Sequence, residues 1–205
     1  MKVLIACEES QVVCKAFRAK GHEAYSCDII PCSGGHPEWH IQDDVLKHLN
    51  NGWDLMIGHP PCTYLSKAGA RWMFPNAGQI DKDRFNKAMD AKDFFLRLLN
   101  APIKHIAIEN PFPLKVVALP KPTQTIQPFE FGHPFSKKTL LWLKNLPPLK
   151  PTNQIKEHIP YLPSNTGGKK RGQKHSRGVS KNAQMSSKTF TGIAEAMAEQ
   201  WRNLI

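Results

Sequence analysis

One stretch constrains the chain more than any other: Asp54-Leu55-Met56-Ile57-Gly58-His59-Pro60-Pro61-Cys62. Leu55 to Ile57 form a short apolar run that reads as a buried strand. Gly-His-Pro-Pro then forces the backbone out of any sheet, because proline has no N–H to give to a ladder. The first residue after that break is a cysteine. A thiol on a stiff loop at the carboxyl end of a central strand lies where open α/β sheets place their ligands. The same residue also suits plain packing in a loop, since small buried cysteines are common.

The flanking sequence supports a parallel sheet. Lys2 to Ala6 reads as a strand, Glu8 to Lys20 as a helix stopped by Gly21, and Glu23 to Cys27 as a second strand closed by Asp28. Strand, helix and strand in so short a span open an α/β fold. After Pro31 to His40, a Gly/Pro loop, Asp43 to Asn50 reads as a short helix. Thr63 to Gly78 is irregular, with Trp72 and Phe74 expected to pack down as a lid. Asp81 to Asn100 is a long amphipathic helix, and Lys104 to Ile108 is a strand ending in Glu109-Asn110-Pro111. Thr125 to Glu130 and Thr139 to Leu143 form a candidate strand pair, and Pro147 to Pro163 is extended. Phe190 to Asn203 closes the chain as a helix with Ile193, Ala194, Met197 and Trp201 on one face.

Three strand ends carry reactive groups: Asp28, Cys62 and Glu109. In a parallel sheet they share one edge. An acid closing the second strand suits the ribose hydroxyls of an adenosine cofactor, or a simple turn. A cysteine and a glutamate on neighbouring strand ends suit a nucleophile and an acid acting on one substrate.

With 205 residues, one domain with a full core is expected, and no apolar run approaches the roughly 20 residues of a membrane span. Five cysteines, an odd number without a pairing pattern, point to free thiols and a cytoplasmic location. Cys27, Cys32, His36 and His40 do not read as a metal site, because Gly34, Gly35 and Pro37 break the spacing. The net charge of +11 favours a polyanionic partner. Much of that charge crowds a Gly/Ser/Asn-rich segment, about 163–188, that holds Lys169, Lys170, Arg171, Lys174 and Arg177. It has no aromatic residue to build a core and reads as a flexible basic loop.

The ordered motifs resemble the DNA cytosine-5 methyltransferase family, in a small, phage-like version. The family's Gly-Gly-Pro-Pro-Cys-Gln-Gly-Phe-Ser is matched without a gap by Gly58-His59-Pro60-Pro61-Cys62-Thr63-Tyr64-Leu65-Ser66. Its Glu-Asn-Val is matched by Glu109-Asn110-Pro111. Its Tyr-Gly-Val-Pro-Gln-Ser-Arg-Lys-Arg is similar to Phe131-Gly132-His133-Pro134-Phe135-Ser136-Lys137-Lys138-Thr139. Its last helix resembles Phe190 to Met197.

The resemblance implies a Rossmann-like, S-adenosylmethionine-dependent methyltransferase fold, a mostly parallel sheet flanked by helices. It implies that Cys62 attacks C6 of a flipped or unpaired cytosine, helped by Glu109, Asn110 and Lys137. It places S-adenosylmethionine against Glu8, Glu9, Ser10, Asp28, Ile29, Asp44, Pro60 and Thr191. It places DNA against Ser66, Lys137, Lys138 and the basic segment.

The chain departs from the family in three places. The first loop, Ala6-Cys7-Glu8-Glu9-Ser10, lacks the family's glycines; its carboxylates suit either the helix dipole or the cofactor's ammonium group. Lys137 keeps a charge without arginine's planar fork. Only Lys144 to Gln184 occupies the place of a target-recognition region, so sequence specificity is expected to be weak, with affinity carried by phosphates. A homodimer could supply the missing region. The alternatives are a DNA-masking protein that has lost the chemistry, and a pyrimidine-C5 methyltransferase acting on RNA, a nucleotide or a modified base. His59 reads as loop packing or a substrate contact.

Overall fold

The computed structural model describes residues 1–161 and 188–203. The basic positions Lys169, Lys170, Arg171, Lys174 and Arg177 lie outside the described residues.

The central sheet contains β1 (Lys2–Ala6), β2 (Glu23–Asp28), β3 (His40–Gln42), β4 (Leu55–Gly58), β5 (His105–Asn110), β6 (Gln124–Ile126) and β8 (Thr139–Lys144). Their order is β3-β2-β1-β4-β5-β8-β6. β1 to β5 pair in parallel, and β8 runs antiparallel to both β5 and β6. The helices are α1 (Val12–Ala19), α2 (Ala70–Met73), α3 (Lys82–Leu99) and α4 (Thr191–Gln200). A small parallel ladder joins β7 (Phe135–Ser136) to β9 (Ile159–Pro160).

Alternation along the strands builds two cores. Val3, Ile5, Leu55, Ile57 and Ala107 face α1 and α4, packing with Phe17, Met197 and Trp201. Leu4, Ala6, Met56, Ile106 and Ile108 face α3, packing with Phe95 and Leu98. Side chains with period two on a sheet covered on both faces explain why these strands read as continuous apolar runs. This is a Rossmann-like α/β fold, as expected. The strand order reverses between β1 and β4, so a crevice opens there at the carboxyl edge. Among the described residues no helix is long and apolar enough to cross a membrane.

Several local expectations are corrected. α1 starts at Val12 rather than Glu8, because Gln11 takes a left-handed conformation (φ 57°) and breaks any earlier turn. Asp43 to Asn50 is not a helix. The Asp43 carboxylate accepts from the Asp44 amide (2.7 Å), Lys47 (2.7 Å) and His48 (3.1 Å), and this winding leaves only a 3-10 turn, Val45–Lys47. β3 begins at His40, the last residue of the stretch read as a Gly/Pro loop. Trp72 and Phe74 do not pack down. They are 50% and 39% exposed, and Met73 between them is buried instead.

Candidate active site

Sheet register sets the site. Ala6 pairs with Cys27 and Gly58, and Gly58 pairs with Ile108. The next residue on each strand, Cys7, Asp28, His59 and Glu109, therefore forms a row along the carboxyl edge. Neighbours in that row meet. His59 Nδ1 lies 3.1 Å from Glu109 Oε2, with both side chains largely buried. Burial presses the imidazole toward its neutral form, but the hydrogen bond and charge of Glu109, with the charge of Glu8, outweigh it and hold His59 above its ordinary pKa. Burial pushes Glu109 up; its His59 partner, with Lys137, wins and holds it below the usual carboxylate range. Each group thus favours the charged form of the other. His59 Nε2 is buried without a hydrogen-bond partner.

Two loops are stapled over this pair. The Leu114 amide donates to Leu65 O (2.7 Å) and the Lys67 amide to Phe112 O (2.8 Å), while Ser66 bridges Pro113. Asn110 Nδ2 donates to Pro60 O at 3.1 Å. The loop after β4, carrying Cys62, is thus fixed to the loop after β5. Proline supplies part of the stiffness, since its φ is preset. Cys62 remains partly exposed. Burial and the Glu109 charge raise its thiol pKa, and Lys137 draws it back down. Cys62, Glu109 and Lys137 therefore share one electrostatic field.

Beside them, a cavity of about 310 Å³ opens at the strand reversal. Ile29, Val45, Pro61, Ala91 and Phe94 give it apolar walls, and Asp28, Asp43 and Asp44 line it too. Apolar walls with the Asp28 and Asp44 carboxylates among them fit an adenosine: the walls for the base, the acids for hydroxyl and amino donors. Cys7 lines the same cavity in a left-handed conformation (φ 59°). A non-glycine residue thus supplies the turn that glycine would otherwise make, at a strain cost of about 1–2 kcal/mol.

The site residues expected from the sequence divide. Asp28, Ile29 and Asp44 come together at the cavity, and Pro61 lines it rather than Pro60, which is buried and accepts from Asn110. Glu8 is corrected from a cofactor contact to a cap: its two oxygens accept the Val13 (2.8 Å) and Cys14 (3.1 Å) amides, satisfying donors that α1 leaves open. Glu9 accepts from Ser33 Oγ at 2.7 Å, and Ser10 is buried; neither lines the cavity. Thr191 lies elsewhere, in a polar groove with His133, Asn153 and Glu195, because α4 packs on the α1 face. Asn110 holds the Pro60 loop through Nδ2, and its buried Oδ1 has no hydrogen-bond partner. Ser66 is 5% exposed, and its backbone bridges Pro113. Lys138 is exposed beside Phe112. His59 was underread; its signal was its position one residue past a strand end, in register with Glu109. Ala91 and Phe94 signalled themselves only by their spacing on α3.

No protein-family model matches the chain, and no curated protein does. A solved structure with a similar fold is a candidate DNA modification methyltransferase encoded within a prophage, from E. coli. It is 14% identical, with a TM-score of 0.42, and the match covers 70% of this chain and 46% of that one. The match spans less than half the length of that neighbour.

Proposed function

We propose that the protein transfers a methyl group from S-adenosylmethionine to C5 of cytosine in DNA, through a transient bond between Cys62 and C6. The observation that supports this most is the joint fixing of Cys62 and Glu109 on two stapled loops beside an acid-lined apolar cavity. The cavity residues Asp28, Ile29, Asp44, Pro61 and Phe94 hold the cofactor, which supplies an electrophilic methyl group when bound.

Cys62 acts as thiolate, because a neutral thiol is a poor nucleophile. Burial and Glu109 oppose its ionisation, and the Lys137 charge favours it. The thiolate adds to C6, making C5 nucleophilic; once C5 carries the methyl group, a base takes the C5 proton, the C5–C6 double bond reforms and the C6–S bond breaks, releasing Cys62 as thiolate. Glu109 faces the pyrimidine edge and accepts from the exocyclic amine. His59 holds the second carboxylate oxygen and neutralises it, so charge developing on the ring does not meet an uncompensated carboxylate. Asn110 positions the loop through Pro60.

Incubating the full chain with unmethylated DNA and a methyl-labelled cofactor tests the proposal. Label is expected at C5 of cytosine in the wild type and absent with Cys62→Ala. Undiminished label in Cys62→Ala removes the mechanism.

A further inference from the structure

The exposed rings near the site remain unexplained by methyl transfer alone. Trp72 is 50% exposed, Phe112 42% and Phe74 39%. They are not scattered. Tyr64 is two residues past Cys62, and Phe112 is three past Glu109, so rings flank both loops of the site. Trp72, Tyr64 and Phe112 are each paired with a cation. Arg71 lies 3.9 Å and Arg84 5.4 Å from the Trp72 ring, and Arg84 is 5.0 Å from Tyr64. Lys67 lies 5.0 Å and Lys138 5.5 Å from Phe112.

Arg84 is built into place. Its Nη2 donates to Thr63 O at 2.8 Å, and its guanidinium occupies the space a Cβ on Gly69 would need. Its Nε is buried with no partner. Asp81, three residues earlier, caps α3 by accepting the Arg84 amide at 2.8 Å. The surface therefore offers ring faces interleaved with positive charge.

We infer that this surface is a stacking platform for unpaired bases, so that the chain takes single-stranded DNA across the Cys62 site. This rests on the methyl-transfer reading for the site itself and names its substrate strand. Duplex DNA presents phosphates and sugars on its outside, which cations satisfy and ring faces do not. A single strand presents both phosphates and open base faces, and aromatic side chains bind those faces with little regard to sequence. Such binding needs no recognition region, which agrees with the short Lys144 to Gln184 stretch.

The test uses full-length Cys62→Ala, which binds without turnover, and labelled single-stranded DNA, duplex DNA and single-stranded RNA of one sequence. Anisotropy is expected to show single-stranded DNA bound tighter than duplex. Adding Trp72→Ala or Phe112→Ala is expected to weaken single-strand binding about tenfold each and leave duplex binding unchanged. Trp72→Phe, which keeps a ring, is expected to retain most of the affinity and so controls for misfolding. Equal losses on both DNA forms, no loss, or tighter binding of RNA or duplex overturns the proposal. Methyl transfer is scored separately in the wild type. Ring-dependent single-strand binding without label transfer keeps the platform and removes the chemistry; label transfer with ring-independent binding does the reverse.

Discussion

At the scale of single residues, the site depends on three charges held close together. Lys137 favours the Cys62 thiolate, while burial and Glu109 oppose it. Removing the cation must raise the thiol pKa further. In Lys137→Gln, the rate of Cys62 alkylation by iodoacetamide, followed by peptide mass, is expected to rise at a higher pH than in the wild type. A profile that stays put or moves to lower pH contradicts the assigned role. His59 and Glu109 give a second pH signature. His59 has a folded pKa above its ordinary 6.5, so its stabilisation is complete below 6.5 and fades as pH rises through the folded value. Glu109 has a folded pKa below its ordinary 4.5, so its stabilisation is complete above 4.5 and fades as pH falls through the folded value. The stability difference between wild type and His59→Gln, from urea unfolding, is therefore expected to be greatest between pH 4.5 and 6.5 and to shrink on the alkaline side. A difference that grows above pH 6.5 contradicts the ion pair. Both residues could be named from the sequence, but their partnership could not, because it depends on Gly58 pairing with Ile108 rather than on either local motif.

At the scale of elements, long apolar segments were legible and polar junctions were not. β1, β2, β4, β5 and α3 declare themselves by period and length, because burial on two faces or on one stripe leaves few alternatives. The start of α1 did not. Glu8 reads equally as first-turn helix or as ligand contact, and only the folded backbone shows its carboxylate turned onto the Val13 and Cys14 amides. Removing that cap in Glu8→Ala is expected to destabilise the protein by about 1–2 kcal/mol, measured by denaturant unfolding. Unchanged stability would return Glu8 to the candidate ligands. α4 shows the same limit. Its apolar face is plain from Ile193 to Trp201, but its seat against α1 carries Thr191 away from the cavity that holds Asp28 and Asp44. A motif match fixes neighbours along the chain and leaves neighbours across the fold open.

At the scale of the whole molecule, the parallel sheet brings residues 7, 28, 59 and 109 to one edge, and the loops after β4 and β5 close over it. The net charge of +11 suits the polyanionic partner proposed above. Phosphate contacts release counterions, so affinity for DNA is expected to fall steeply and linearly on logarithmic axes as salt rises from 50 to about 200 mM. A flat salt response contradicts a polyanionic partner. The central claim, that the Cys62 thiolate adds to a cytosine held by Glu109, is tested most directly by trapping the adduct. Full-length protein is incubated with an oligonucleotide carrying 5-fluorocytosine and with S-adenosylmethionine, since fluorine at C5 cannot leave as a proton does. Intact-mass measurement is expected to show one oligonucleotide bound covalently, with peptide mapping to Cys62 and loss of the adduct in Cys62→Ala. No adduct in the wild type, or an adduct on another residue, contradicts the account.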